Sequence, residues 1–133
     1  MDTRVLPINL DLLAEILTTE PQPVPGGIRQ GDRVVPLRGG VLRFREDSGY
    51  NESFALQWNC FKTNQIDAVN GTRLSMKRFD ESGWDLHDLK GKVVLEAGCG
   101  AGRFTRILAE AGVRLVAFDY SAAVDACYDN NGR

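Results

Sequence analysis

The spacing of hydrophobic residues divides the chain into three segments, and the first mixes a helical pattern with strand-like ones. In "NLDLLAEILT" the spacing predicts a helix from Asn9 to Thr18, capped by Asn9, with Leu10, Leu13 and Leu17 on one face. The stretch "EPQPVPGGIRQGD" is dense in proline and glycine and predicts irregular structure. "RVVPL" and "GVLRF" then predict two short strands of a small β module.

The middle segment is polar with interspersed aromatic residues. Phe54, Trp58 and Phe61 follow one another at spacings of four and three, which predicts that "SFALQWNCFKTNQI" is an amphipathic helix. We expect its aromatic face to lie in the core, and a cover over a cofactor is the alternative. A second short helix is predicted over "TRLSMKRFDES", with Thr72 as its N-cap.

The last segment alternates strand-like and helical patterns. "KVVLEA" predicts a parallel strand buried on both faces, and "GRFTRILAEAG" predicts a helix that stops at Gly112. "VRLVAFD" predicts a second strand, and Ser121 is placed to cap a helix over "SAAVDACYDNN". This order predicts a βαβ unit and an α/β fold. The predicted divisions are the small module 1–46, the helical segment 47–90 and the βαβ segment 91–133.

Three glycines stand at every second position between the first of these strands and its helix. Glycines there allow the backbone to pass close to a ligand at the carboxyl end of a sheet, beside a helix N-terminus. The dinucleotide-binding pattern G-x-G-x-x-G does not fit, because Gly102 comes one residue too early after Gly98 and Gly100. With Glu96 the stretch instead spells E-x-G-x-G-x-G.

Composition excludes several classes of partner. Sixteen Lys and Arg against eighteen Asp and Glu leave a net charge of −2, which argues against a nucleic-acid-binding surface. No apolar run approaches the roughly 20 residues of a membrane span, and Asp2, Asp11 and Glu15 argue against a signal peptide. The three cysteines form no C-x-x-C pair, which predicts a reduced, cytoplasmic chain without a structural metal site.

The E-x-G-x-G-x-G pattern resembles motif I of the S-adenosylmethionine-dependent methyltransferases with a Rossmann-like fold. Within this class the chain is similar to the type 11 methyltransferases. "VVLEAGCGAGRFTRILAEAGVRLVAFDYS" is similar to that family from the first strand to the end of the second. The preceding residues resemble small-molecule methyltransferases in which a zinc-ribbon-like module comes first. That module usually carries C-P-x-C pairs, whereas "TTEPQPVPGGIRQGD" has no cysteine, so a zinc site is not implied here.

The resemblance implies that S-adenosylmethionine is the cofactor and that one set of residues binds it: Glu96, Gly98, Cys99, Gly100, Gly102, Asp119 and Tyr120. The glycine turn would pass beneath the methionine part, and Glu96 would accept a hydrogen bond from its ammonium group. Asp119 would accept from both ribose hydroxyls, since a carboxylate has acceptors only. Tyr120 would lie beside the adenine.

The function that the resemblance implies is methyl transfer to a small-molecule acceptor. The cofactor's sulfonium is already activated, so the enzyme chiefly aligns the acceptor, and catalytic residues are not identified. Strands 3 to 7 of the family fold lie beyond Arg133, so we expect an incomplete N-terminal part, inactive alone and able to self-associate through an exposed sheet edge. The alternatives are a non-catalytic, partner-binding domain with a vestigial βαβ unit and, less favoured, a dinucleotide-binding module.

Overall fold

The computed structural model describes residues 8–45 and 52–132, apart from the side chain of Phe54. The chain divides into two compact units, Met1–Glu46 and Asp47–Arg133. The described residues form a four-stranded antiparallel sheet, a pair of parallel strands and several short helices. The predicted mixture of helices and strands is therefore confirmed.

Helix α1 (Leu10–Ile16) opens the first unit. Asn9 caps it as predicted, because its side-chain oxygen accepts a hydrogen bond from the backbone N–H of Leu12 at 2.9 Å. The buried residue of this helix is Leu12, whereas Leu10 and Leu13 are half-buried. The predicted apolar face is thus confirmed only in part: Leu10, Leu13 and Leu17 are half-buried, and the fully buried residue is the neighbouring Leu12. The helix is seven residues long, which is shorter than predicted.

The sheet of the first unit contains strands β1 (Gln22–Val24), β2 (Gly27–Gln30), β3 (Arg33–Arg38) and β4 (Val41–Leu42), paired in sequence order. Strands β3 and β4 confirm the prediction, but β1 and β2 lie where irregular structure was predicted. Pro23 is tolerated because β1 is an edge strand. Gly27 is required, since a Cβ there would collide with the carbonyl oxygen of Val35 on β3.

Four short helices open the second unit: α2 (Glu52–Cys60), α3 (Asp67–Asn70), α4 (Leu74–Glu81) and α5 (Leu86–Leu89). Helix α2 ends six residues before Ile66, so the aromatic helix is shorter than predicted. Phe61 lies beyond its end and is 57% exposed, which contradicts a buried aromatic face at that position. Trp58 is half-buried, and the Phe54 side chain lies outside the described residues.

The side chain that caps the start of α4 is Asp67, which precedes the helix by seven residues. The prediction that Thr72 caps this helix is wrong. Asp67 accepts hydrogen bonds from the backbone N–H groups of Ser75 at 3.0 Å and Met76 at 3.1 Å. The Thr72 hydroxyl instead donates to Asp67 at 3.1 Å. A carboxylate with two oxygens satisfies more of the helix's free donors than a hydroxyl does.

The second unit then continues through β5 (Val93–Ala97), α6 (Arg103–Glu110), β6 (Arg114–Phe118) and α7 (Ala123–Asn131). Strands β5 and β6 are parallel, with Val93 opposite Arg114 and Ala97 opposite Phe118. Helix α6 ends as predicted, because Gly112 follows it with φ +78°.

One face of this strand pair is covered and the other is not. Val94 lies in a buried cluster with Ile107 and Leu108 of α6 and with Phe79 of α4. On the opposite face Leu95 is 54% exposed. The expectation of a strand buried on both faces is therefore wrong, because within the described residues α6 covers only the side of β5 that carries Val94.

Candidate ligand-binding site

The parallel register brings the glycine turn and Asp119 to the same edge of the strand pair. The backbone N–H groups of Gly98 and Cys99 both donate to the carbonyl oxygen of Phe118, at 2.8 and 3.0 Å. Asp119 follows directly, and its carboxylate accepts from the backbone N–H of Gly100 at 2.9 Å. Residues that are distant in the sequence thus form one continuous surface at the carboxyl ends of β5 and β6.

Gly98 and Gly100 present bare backbone to open space. Their φ angles are +72° and +53°, in the left-handed region that favours glycine. A Cβ built on either residue would meet nothing within 4 Å. Neither glycine is therefore needed for packing within the described residues, and the space beside them is available to a ligand.

Gly102 has a different role, because it packs against α7. A Cβ on Gly102 would collide with the side-chain amide of Asn131 and would lie 2.8 Å from the Sγ of Cys127. The Asn131 amide also donates to the Gly102 carbonyl at 3.1 Å, and the Asn130 amide donates to that of Ala101 at 2.8 Å. The end of α7 thus holds the second half of the glycine turn.

The carboxylate of Asp119 is already well supplied with donors. One oxygen accepts from the backbone N–H of Gly100, and the other accepts from the backbone N–H and hydroxyl of Ser121, both at 2.8 Å. A carboxylate offers about four lone pairs, so one remains. The Ser121 hydroxyl also accepts from the N–H of Ala123 at 3.2 Å, so the same group helps to start α7.

Glu96 lies on the covered face of β5, beneath α6. Its carboxylate accepts a hydrogen bond from the hydroxyl of Thr105 at 2.6 Å. Burial raises the pKa of Glu96, and the hydrogen bonds from Thr105 oppose that rise without cancelling it. The structure therefore brings this carboxylate to the first turn of α6, on the other side of the strand from Leu95.

The remaining predicted residues occupy opposite environments. The side chain of Cys99 is 4% exposed and lies beneath the turn, so only its backbone faces the candidate site. Tyr120 is 61% exposed and follows Asp119 at the edge of the strand pair. The turn, Asp119 and Tyr120 are thus contiguous, whereas Gly102 and Glu96 face the helices.

Sequence reasoning missed several residues that shape this site. Thr105 carried a weak signal for a contact with Glu96. Its hydroxyl lies in the first turn of a predicted helix, and that helix follows a strand that ends near an acidic residue. Asn131 carried none, because its contact with Gly102 depends on how α7 folds back. Cys127 carried no signal for a place near the site, yet it is 5% exposed and its Sγ would lie 2.8 Å from a Cβ on Gly102.

Among residues 8–45 and 52–132, no three His, Cys, Asp or Glu side chains are grouped as metal ligands. No helix in the same part of the chain is long and apolar enough to cross a membrane. No protein-family model matches the chain, and no curated protein or solved structure matches it either.

Proposed function

We propose that the second unit contains the start of a Rossmann-like S-adenosylmethionine-binding domain and that the protein is a cytoplasmic methyltransferase for a small-molecule acceptor. One observation carries this proposal. The open backbone at Gly98 and Gly100 lies at the same edge as the Asp119 carboxylate, with a hydrogen bond of 2.9 Å joining the two. Gly98 and Gly100 carry no side chains, and the Asp119 carboxylate beside them can only accept hydrogen bonds. This combination suits a ligand that carries a ribose diol.

The residues fit such a ligand, with one rearrangement. Asp119 has about one free lone pair, which is enough for one ribose hydroxyl. The second hydroxyl would take the place of the Ser121 hydroxyl, which turns about a single bond, whereas the backbone donors of Ser121 and Gly100 are held by the chain. Tyr120 would lie against the adenine.

In the proposed reaction the bound cofactor supplies a methyl group on a positively charged sulfur. The chain's residues bind and orient. Gly98 and Gly100 let the backbone approach the methionine part, and Asp119 holds the ribose. Glu96 is proposed to accept from the ammonium group while it keeps its hydrogen bond to Thr105. No residue is proposed to act as an acid or base, because alignment of the acceptor is the principal requirement.

A partner-binding function is the second candidate, and the uncovered face of the parallel strands favours it. Leu95 is 54% exposed and Phe118 is 48% exposed, although both are large and apolar. Such residues in one patch mark interaction surfaces. Self-association through this region would appear as a concentration-dependent mass in sedimentation, and it would be lost in Leu95→Lys.

The proposal is tested by ligand-observed NMR. This method detects weak binding, with a dissociation constant of about 1 mM, which corresponds to about 4 kcal/mol of binding free energy. The ligands are S-adenosylhomocysteine and NAD, each offered to the whole 133-residue chain and to Asp119→Ala. We expect S-adenosylhomocysteine to bind, NAD to bind more weakly, and the variant to lose the signal.

Two results would contradict the proposal. Equal binding of NAD would favour the dinucleotide-binding alternative. A folded chain that binds neither ligand would favour the partner-binding function.

A further inference from the structure

The four-stranded sheet of the first unit carries a local excess of positive charge. Residues 22–45 contain five arginines, one aspartate and no lysine or glutamate, which leaves a local net charge of +4 in a chain whose total is −2. The aspartate, Asp32, lies in the turn between β2 and β3. Every positive charge is thus an arginine, whose planar guanidinium binds a carboxylate or phosphate through two parallel hydrogen bonds.

Strand pairing separates the two faces of this sheet. Ile28 pairs with Val35, and both are 0% exposed, so they mark the covered face. Arg29 pairs with Val34, one position along each strand, so these two side chains lie on the opposite face. Arg38 follows Val34 by four residues on β3 and shares that face. Arg29 and Arg38 are exposed, and Val34 is 47% exposed. We call these three residues the arginine face.

The side chains of the arginine face are available to a partner. Within residues 8–45 and 52–132, neither Arg29 nor Arg38 makes a hydrogen bond or an ion pair through its side chain. Arg33, in contrast, donates to the carbonyl oxygen of Phe44. The guanidinium of Arg43 donates to the backbone carbonyl of Arg38 at 3.4 Å, so a further positive charge lies at that end of β3.

The spacing of the two arginines matches an extended peptide. Arg29 lies beside Val34 across the strands, and four residues of β3 separate Val34 from Arg38, so the Cα atoms of the arginines are about 14 Å apart. Four residues of an extended chain cover about the same length. Side chains at positions i and i+4 of such a peptide could therefore reach both guanidinium groups. Val34 and Pro36 provide an apolar surface along the same strand.

We propose that the arginine face binds an acidic segment of a partner protein, held in an extended conformation with two carboxylates four residues apart. Charge complementarity carries the proposal, because the two arginines have no acidic partner among the described residues. Nucleic acid fits less well. Strands β1 to β4 contain no aromatic residue on which a base could stack, and the chain as a whole is acidic. This docking surface does not depend on the proposed cofactor site.

The experiment measures fluorescence anisotropy of a labelled peptide made of four Glu-Ser-Val-Ser repeats, titrated with the whole 133-residue chain. The same peptide with glutamine in place of glutamate is the control. We expect the glutamate peptide to bind, the glutamine peptide not to bind, and the affinity to fall as salt is added. Arg29→Gln and Arg38→Gln should each weaken binding by about 2- to 5-fold, as for exposed ion pairs.

A matched variant separates a local contact from a general effect of charge. Arg73→Gln removes one exposed arginine from the second unit and should leave the affinity unchanged. Circular dichroism checks that all three variants are folded. Three results would overturn the proposal: no salt-dependent binding of the glutamate peptide by the wild type, an equal loss in Arg73→Gln, or tighter binding of an oligouridylate with the same number of charges.

Discussion

At the scale of single residues, Asp119 connects the elements of the candidate site. It accepts from the glycine turn through Gly100 and from the start of α7 through Ser121. The same carboxylate therefore positions the exposed backbone of the turn and would also hold a ligand's hydroxyls. Asp119 thus combines a structural role with a proposed binding role. A substitution of Ser121 separates the two, because it removes one donor to Asp119 and leaves the carboxylate in place.

We predict that Asp119→Ala weakens S-adenosylhomocysteine binding by about 1.5–3 kcal/mol, or about 10- to 150-fold, because hydrogen bonds to a charged group are lost. Ser121→Ala should bind as well as the wild type or better, since it frees an acceptor position on Asp119. Calorimetry or NMR titration measures both affinities, and circular dichroism checks folding. Equal losses in the two variants would show that the effect is structural.

A second prediction concerns the pH dependence caused by Glu96. Burial raises the pKa of this carboxyl above its ordinary value, so the folded state favours the protonated form. The stabilisation is present at pH values below the unfolded pKa and is lost as the pH rises through the folded pKa. Glu96→Gln keeps an acceptor for Thr105 without the charge. The unfolding free energy of Glu96→Gln should therefore increase relative to that of the wild type as the pH rises above about 4.5.

Denaturant titrations at several pH values measure this difference, with Glu81→Gln at an exposed position as the control. A constant difference between Glu96→Gln and the wild type across the range would contradict the prediction. Loss of ligand binding in Glu96→Gln without loss of stability would support the proposed contact with the cofactor's ammonium group.

At the scale of elements, the glycine turn has an open half and a packed half, and a matched pair of substitutions separates them. Gly100→Ala places a methyl group in the open space, so we expect loss of ligand binding and a modest backbone strain of about 1–2 kcal/mol. Gly102→Ala forces a methyl group against α7 and should cost about 1–3 kcal/mol more in unfolding free energy. Thermal melts and NMR titrations test this. Equal stability of the two variants would contradict the division.

The cap of α4 leads to a prediction of the same kind. Asp67→Ala removes the acceptor for the N–H groups of Ser75 and Met76, and we expect a loss of about 0.5–2 kcal/mol in unfolding free energy. Thr72→Ala should cost less, because the Thr72 hydroxyl donates to the side chains of Asp67 and Asn70 and to no backbone group of α4. Although burial raises the pKa of Asp67, these hydrogen bonds lower it overall, so the stabilisation is lost as the pH falls below about 3.8. A larger loss in Thr72→Ala would contradict this account.

Elements with strong local signals were predictable from the sequence. The periodicity around Ile107 and the stop at Gly112 predicted α6, and apolar β-branched runs predicted β5 and β6. Strands β1 and β2 were not predictable in the same way, because Pro23 and Gly27 oppose a strand locally. Their positions depend on edge placement and on close approach to β3.

The candidate site was predictable in its outline but not in its contacts. The glycine spacing indicated Gly98 and Gly100, and an acidic residue near the end of each strand indicated Glu96 and Asp119. The partners of these residues depend on how helices fold back across the strands, which no local pattern encodes. The contact of 3.4 Å between the Thr105 hydroxyl and the sulfur of Cys127 is the clearest case, since Cys127 alone looks like a small apolar residue.

At the scale of the whole molecule, the described parallel strands would supply only part of the proposed cofactor site. They provide the glycine turn and the proposed ribose-binding carboxylate, whereas one face with Leu95 and Phe118 remains uncovered. Methyl transfer depends on holding two reactants in line, and the described residues provide no enclosed place for an acceptor.

We therefore predict no measurable methyl transfer by the 133 residues alone. The assay follows release of S-adenosylhomocysteine from S-adenosylmethionine in the presence of mixed hydroxyl, amine and carboxylate acceptors. Protein without cofactor and cofactor without protein are the controls. Turnover by a chain shown to be monomeric in sedimentation would contradict the prediction and would indicate a much smaller catalytic unit.

The two asparagines at the end of α7 have a consequence for how the site opens. Their amides hold the carbonyls of Ala101 and Gly102, so fraying of the last helical turn releases the glycine turn as well. The two segments should then behave as one cooperative unit in native-state hydrogen exchange. The amides of Gly102 and of residues 128–131 would exchange with a common opening free energy. A ligand bound at the turn would slow exchange at the far end of α7, although it touches none of those residues.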